Sequence, residues 1–317
     1  MMLRFAALLI LLASPLLQAA PVVSQRPIDL DTGTGVLHGS LLLPVSDKPV
    51  PVVLIISGSG PTDRDGNNPQ GGRNDSLRKL AMLLARHGIA SVRYDKRGVA
   101  TGLPLAPDER TLSVEGYVAD AQAWARQLKA DPHYGPLILL GHSEGALIAT
   151  LAAPDAGAAA VISVAGSGRP LDQVIAEQLK GRLPPDLEQR STQLLQRLKA
   201  GQYDGDVPAP LQVIFRPSVQ PYLVSLLRQD PAAAFGRLKV PALIIQGRND
   251  IQVGVADARA LKAAKPDAQL VVVDGMNHVM RIVDDNLKAQ VASYNNPNLP
   301  LADALGSALT GFIGKIH

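Results

Sequence analysis

Along most of this chain, short continuous apolar runs alternate with segments of helical period. Val22 to Asp31 and Val36 to Leu43 flank the cluster Thr32-Gly33-Thr34-Gly35, which predicts two antiparallel opening strands, the second ended by Pro44. Val50 to Ile56 is continuously apolar and β-branched, the pattern of a central strand covered on both faces. Asp75 to His87 sets Leu77, Leu80, Leu83 and Leu84 on one helical face, with Gly88 as the stop. Ile89 to Tyr94 predicts the next strand, and Leu112 to Ala130 a long helix carrying the only tryptophan, Trp124. Leu137 to Leu140 is again strand-like, Ala146 to Ala153 is helix-prone, and Ala158 to Ala165 is a further short buried strand. Strict alternation of this kind implies an α/β fold, a mostly parallel sheet with helices on both faces.

The alternation stops after Ala165. Leu171 to Lys180, Leu187 to Leu198 and the stretch near Pro221 to Arg228 have helical character, and Gly201 to Pro210 is a linker rich in Pro, Gly and Asp. Residues 169–236 are therefore expected to form a helical cap insertion between two parts of one core, 22–168 and 237–317. The sheet resumes with Pro241 to Gln246, the helix Val255 to Ala264, the strand Ala268 to Val273 and a last amphipathic helix near Leu301 to Ile316.

Composition narrows the function. A chain of 317 residues with 46% hydrophobic content can build one large core. A net charge of +3 without a lysine or arginine run gives no reason to expect a nucleic-acid partner. Met1 to Ala20 begins with Arg4, continues through the apolar Phe5 to Leu12 and ends in Ala19-Ala20, which reads as a signal peptide covering residues 1–19. Its apolar part is too short to span a bilayer, so no membrane anchor is expected in the mature form. The chain has no cysteine, which leaves neither a disulfide framework nor a lipid-modified cysteine. These features predict a periplasmic or secreted protein.

The candidate chemistry centres on Gly141-His142-Ser143-Glu144-Gly145, placed between a buried strand and a helix. A serine at the apex of such a turn is held in a strained backbone with its hydroxyl exposed, and glycine on either side lets strand and helix approach. A serine hydroxyl needs a base, and the base needs a group that fixes its tautomer. Of the six histidines, His38 falls in an opening strand, His87 at a helix end, His133 in a turn, His142 beside the serine and His317 at the terminus. Only His278 follows a core strand downstream of Ser143, and Asp250 leaves the preceding strand in the same manner. The alternatives at those two positions are a helix N-cap for Asp250 and an ordinary loop histidine for His278. Asp274 is the rival orienting acid, being near His278 in sequence.

From about Val36 onward the chain resembles the α/β-hydrolases, in which the triad runs in the order Ser143, Asp250, His278. Four motifs together, Ser57-Gly58-Ser59-Gly60-Pro61, Asp63-Arg64-Asp65-Gly66, Tyr94-Asp95-Lys96-Arg97-Gly98 and the Gly-His-Ser-Glu-Gly turn, resemble the esterase D-like carboxylesterases. The resemblance implies an oxyanion hole made by the backbone N–H groups of Ser59 and Glu144. It departs from the family at Val99 to Gly102, where relatives tend to have Gly-x-Ser, and no role beyond packing and support is read there. The side chains of Asp63, Arg64, Asp65 and Arg97 are expected to form a structural ion network under the site.

The expected function is a serine hydrolase acting on small-molecule carboxylic esters, with small or short acyl groups suggested by an aromatic content of only 3%. Thioesterase, lipase and aminopeptidase chemistry would use the same machinery. A non-catalytic periplasmic binding protein on a hydrolase scaffold is the rival class. No cofactor or metal is expected, since the sequence holds no His-Glu-x-x-His, no Cys/His metal spacing and no phosphate loop.

Overall fold

The apolar runs assemble into one eight-stranded sheet in the order β1-β2-β4-β3-β5-β6-β7-β8. The computed structural model describes residues 23–317, so the signal-peptide reading of residues 1–19 lies outside the described residues. The strands are β1 (Val23–Asp31), β2 (Val36–Pro44), β3 (Val50–Ile56), β4 (Ala90–Tyr94), β5 (Tyr134–His142), β6 (Ala160–Val164), β7 (Ala242–Gly247) and β8 (Gln269–Val273). β2 runs against both of its neighbours, and every pairing from β4 to β8 is parallel. β4, β6 and β7 are buried at every position, as strands covered on both faces must be.

Two apolar layers cover the sheet. On one face, α1 (Ser76–Arg86) and α11 (Asp303–Ile313) pack Leu77, Leu80, Leu84, Leu305 and Leu309 against Val53, Ile55 and Ile245. On the other, α2 (Val114–Ala130), α3 (Glu144–Ala156) and α9 (Val255–Ala264) pack around Trp124, Leu139 and Ile148. Trp124 is fully buried, with its ring 5.5 Å from that of Tyr94.

Between β6 and β7 the described chain is helical. It carries α4 (Leu171–Leu179), α5 (Pro185–Lys199), α6 (Gln212–Phe215), α7 (Gln220–Leu227) and α8 (Pro231–Gly236). The four helices α4 to α7 enclose an apolar cluster of their own, with Leu194, Leu198, Leu211 and Phe215 almost fully buried. Two ion pairs tie this segment to the sheet domain. Arg169, just before α4, pairs with the buried Asp257 of α9 at 2.7 Å, and Arg216, after α6, pairs with Glu109 at 2.5 Å.

One element had no counterpart in the sequence pattern. α10 (Leu287–Tyr294) buries Gln290 and Ser293, while Leu287 and Val291 stand exposed. Its polar face turns inward because Gln290 Nε2 donates to the Asp284 carbonyl and Ser293 Oγ accepts from Asn277 Nδ2. The expected ion network also differs from the one found. Arg64, Asp65 and Arg97 pair with other residues rather than with one another: Arg64 with Asp95 at 2.8 Å, Arg93 with Asp65 at 2.7 Å and Arg97 with Asp120 at 2.6 Å. Asp63 instead accepts the backbone N–H groups of Asp65 and Asn67, closing its own turn.

Candidate active site

The turn between β5 and α3 is held by close backbone approach. Ser143 sits at φ 56°, ψ −123°, outside the ordinary regions for a side-chain-bearing residue. A Cβ at Gly141 would collide with the backbone of Gly145, and one at Gly145 with the carbonyl of Ile56 at the end of β3. Only glycine fits at either position, so β3, β5 and α3 converge beneath Ser143. The Ser143 N–H donates to the Val164 carbonyl at 2.9 Å, which fixes the turn against β6 as well.

The loops after β7 and β8 meet by the same device. A Cβ at Gly247 would strike the Met276 carbonyl, and Asn249 N–H donates to that carbonyl at 3.0 Å. Asp250 and His278 are thereby brought together, with Nδ1 of His278 2.8 Å from Oδ2 of Asp250. Both side chains are buried, His278 6% and Asp250 0% exposed. Because the carboxylate only accepts, Nδ1 carries the proton and Nε2 is left as the basic nitrogen.

Asp250 also accepts the N–H groups of Gln252 and Val253 at 2.8 and 3.0 Å, so the turn-capping role open to it is filled alongside the contact to His278. Burial opposes its ionisation most strongly, but the His278 ring and these N–H groups outweigh it and hold its pKa below the ordinary carboxylate value. Asp274 lies elsewhere, 82% exposed and paired with Arg248 at 2.5 Å.

His142 joins the two halves of the site. Its Nε2 is 2.8 Å from the His278 carbonyl, to which it donates, and the two rings are 4.8 Å apart. Burial, reinforced by the neighbouring His278, pushes the His142 pKa down to about 4. His142 is therefore neutral at pH 7 and adds no charge that would oppose protonation of His278.

Ser143 opens into a cavity of about 600 Å³. A recess of similar volume, about 590 Å³, lies beside Asp284 to Asn286 and is lined by none of Ser143, Asp250, His278, Ser59 and Glu144. The Ser143 cavity is lined by Ser59 and Glu144, by Gln252 and Val253 just past Asp250, and by apolar side chains of the helical segment, among them Leu171, Ile175, Ile214 and Leu223. Among the described residues, the backbone N–H groups of Ser59 and Glu144 donate to no protein acceptor.

Sequence reasoning did not single out Lys96. This residue follows the wholly buried β4, lines the cavity and is itself buried, its side chain 2% exposed. Nζ donates to the Gly58 carbonyl, lies 3.8 Å from Glu144 Oε1 and stands 5.1 Å from the centre of the Tyr117 ring. Burial pushes the pKa of this ammonium down, and the Glu144 carboxylate pushes it back up. The available signal was a lysine inside a charged loop at the carboxyl end of an apolar strand, where open α/β sheets bind ligands.

A mostly parallel sheet with a serine on a strained strand-to-helix turn after β5, and an Asp-His pair past the ends of β7 and β8, is the arrangement of an α/β-hydrolase fold. A family model described as serine aminopeptidase, S33, matches residues 72–282, and the chain belongs to that family. Esterase EstD of Thermotoga maritima is 31% identical over 252 residues, 77% of this chain and 58% of the relative, so the chain spans about three-fifths of that protein's length. Among solved structures, Est1E from Butyrivibrio proteoclasticus superposes with a TM-score of 0.58 at 16% identity, covering 91% of this chain and 99% of the other. The esterase domain of a Rhodothermus marinus protein gives 0.56 at 18% identity, covering 92% and 100%. At these identities the structural likeness speaks to the fold alone.

Proposed function

We propose that this protein is a serine carboxylic-ester hydrolase working through an acyl-enzyme, with Ser143, His278 and Asp250 as its triad. The observations that carry the reading are the buried 2.8 Å His278–Asp250 bond, linked to the Ser143 turn through the His142 ring 4.8 Å from that of His278, and the cavity of about 600 Å³ into which Ser143 opens. Ser143 Oγ attacks the ester carbonyl while His278 Nε2 takes up its proton, and Asp250 stabilises the imidazolium that forms. The carbonyl oxygen becomes an oxyanion facing the N–H groups of Ser59 and Glu144, which no protein acceptor occupies among the described residues. Collapse breaks the bond to the alkoxy group, which leaves as alcohol with the proton from His278. Water, activated by the same histidine, then releases the acid.

The cavity favours esters over peptides with a free amino end. An aminopeptidase needs an acceptor for a substrate ammonium; of the two carboxylates lining this cavity, Glu109 is bonded to Arg216 and Ser218, and Glu144, whose Oε1 lacks a hydrogen bond among the described residues, already has the Lys96 ammonium 3.8 Å away. Its apolar walls suit the acyl part of a small or short-chain ester.

The deciding experiment is a panel of p-nitrophenyl esters, acyl thioesters and amino-acid anilides, with a fluorophosphonate probe followed by peptide mapping. The expected result is labelling at Ser143 and turnover of the esters, falling as the acyl chain lengthens. A folded protein that reacts with neither probe nor panel is a binding protein on this scaffold, and the proposal fails. From Arg4 and the short apolar run after it we further propose export to the periplasm or medium. Exported protein should begin near Ala20 by mass spectrometry, and a soluble product that keeps Met1 or Met2 would refute this.

A further inference from the structure

We propose that Lys96 is a positioning residue for the oxyanion hole, holding the peptide that carries one of its donors and the residue that carries the other. This rests on the serine-hydrolase reading above. The loop after β3 is irregular, and the orientation of its N–H groups has to be imposed from outside the loop. Lys96 Nζ donates to the Gly58 carbonyl, which belongs to the same peptide unit as the Ser59 N–H. That peptide is trans, as are all peptide bonds of the described chain, so its carbonyl and N–H point in opposite directions. Fixing the oxygen therefore fixes the direction of the N–H. A cation on the oxygen also draws electron density through the amide and makes its N–H a stronger donor.

The neighbouring peptide is held as well. Thr62 Oγ1 donates to the Ser59 carbonyl at 2.8 Å, and Ser57 Oγ to the Thr62 carbonyl at 3.1 Å. Of these anchors only Lys96 brings a charge and comes from another strand end. The same ammonium lies 3.8 Å from the carboxylate of Glu144, whose backbone N–H is the second proposed donor. One buried cation thus links the β3 loop to the start of α3.

A lysine that merely neutralises Glu144 would affect stability, whereas a positioning lysine affects the transition state more than the bound substrate. In folded Lys96→Met, kcat for a p-nitrophenyl ester should fall on the order of 100-fold with KM within about twofold of wild type, comparable to removing an oxyanion donor. Affinity for a trifluoromethyl ketone should fall in parallel. That inhibitor accepts Ser143 Oγ at its carbonyl carbon, sends the proton to His278 and places the resulting oxyanion in the hole. Affinity for the product acid should not change. A folded variant with kcat within about threefold of wild type overturns the proposal.

The absence of cysteine in the chain permits a chemical rescue. Lys96→Cys, unfolded, alkylated with 2-bromoethylamine and refolded, regains a lysine-like ammonium, and its kcat should recover. Alkylation with iodoacetamide supplies only a neutral amide and should not restore kcat, and equal recovery from both reagents argues against the proposal. If neither variant folds, the wild-type protein decides: the Lys96 Nζ signal of 15N-lysine-labelled protein should move when the ketone adduct forms, and an unmoved signal overturns the assignment. Failure of the hydrolase reading itself is distinct, since wild type would then form no ketone adduct at Ser143.

Discussion

The loops at the carboxyl ends of β3, β5 and β7, the last held against the loop after β8, and the helical segment from Leu171 to Gly236 both line the cavity, but they are held in different ways. The strand-end loops are fixed by backbone contact: Gly141 on Gly145, Gly145 on Ile56 and Gly247 on Met276 leave no room for a methyl group. Their polar groups are buried and bonded, as in His278 to Asp250 and His142 to the His278 carbonyl. The helical segment has its own apolar cluster around Leu194 and Phe215, sends Tyr222, Leu226 and Phe235 into the main core, and adds partly exposed ion pairs, Arg216 with Glu109 being the more exposed. The first kind of construction tolerates almost no displacement, which transition-state geometry requires. The second can change its lining residues without moving Ser143, which suits a wall that selects substrates.

The sharpest break in this comparison comes from the strand-end residues. Ser143→Ala or His278→Ala should lower kcat by a factor on the order of 10⁶, Asp250→Asn by somewhat less, and the double change little more than either single one. Assay of purified folded variants on one ester checks this. Additive losses would mean that the three residues do not act as a unit.

Next is the pH dependence carried by His142. Its pKa is about 4 in the folded protein, below the ordinary histidine value of 6.5, so the unfolded chain binds its proton first as pH falls. The stability due to neutral burial is fully present above pH 6.5 and is lost as pH drops toward 4, up to about 3 kcal/mol. Urea unfolding at pH 7 and pH 4.5 should show a smaller difference for His142→Gln than for wild type. An equal difference in both would place the burden on groups other than His142, and not on Asp250, whose depressed pKa acts only at lower pH.

A smaller effect, and one of a different kind, is expected in the helical segment. Leu223 is buried against its cluster and lines the cavity, so Leu223→Ala should cost about 2 kcal/mol and shift the ester chain-length profile while leaving turnover of the best small ester within about threefold. Unfolding curves and the p-nitrophenyl series test it together. A loss of turnover as large as that of Asp250→Asn would erase the distinction between the two regions. The smallest effect belongs to Asp274→Asn, which removes an exposed pair with Arg248 and should change stability by less than about 0.5 kcal/mol with activity unaltered. Abolished activity there, with Asp250→Asn near wild type, would move the orienting acid to Asp274.

How much of this was legible depended on whether the physics was local. Strands β3, β6 and β7 announce themselves because a strand covered on both faces must be apolar at nearly every position, whereas β4 buries Ser91 and Arg93 as well. Helix α1, expected over Asp75 to His87, spans Ser76–Arg86 because its leucines recur at the helical period and Gly88 ends it. The Ser143 turn is readable for the same reason, since the glycines that permit it lie two residues away on either side. α10 was not readable, because a face built from Gln290 and Ser293 is buried by hydrogen bonds that only a folded neighbour supplies.

By itself, then, the sequence determined which segments become strands and most of those that become helices, where the chain must turn sharply, and which serine, aspartate and histidine stand at strand ends. It could not decide which charges meet. Arg64 finds Asp95, Arg97 finds Asp120 and Lys96 finds the Gly58 carbonyl only after β4 is inserted between β2 and β3, and that order is a property of the closed sheet. The contact of His142 with the His278 carbonyl spans 136 residues of chain, and no local pattern encodes it. Periodicity and glycine placement act over a few residues and leave a mark in the sequence, whereas the partner of a buried polar group is chosen by whatever packing brings within about 3 Å of it.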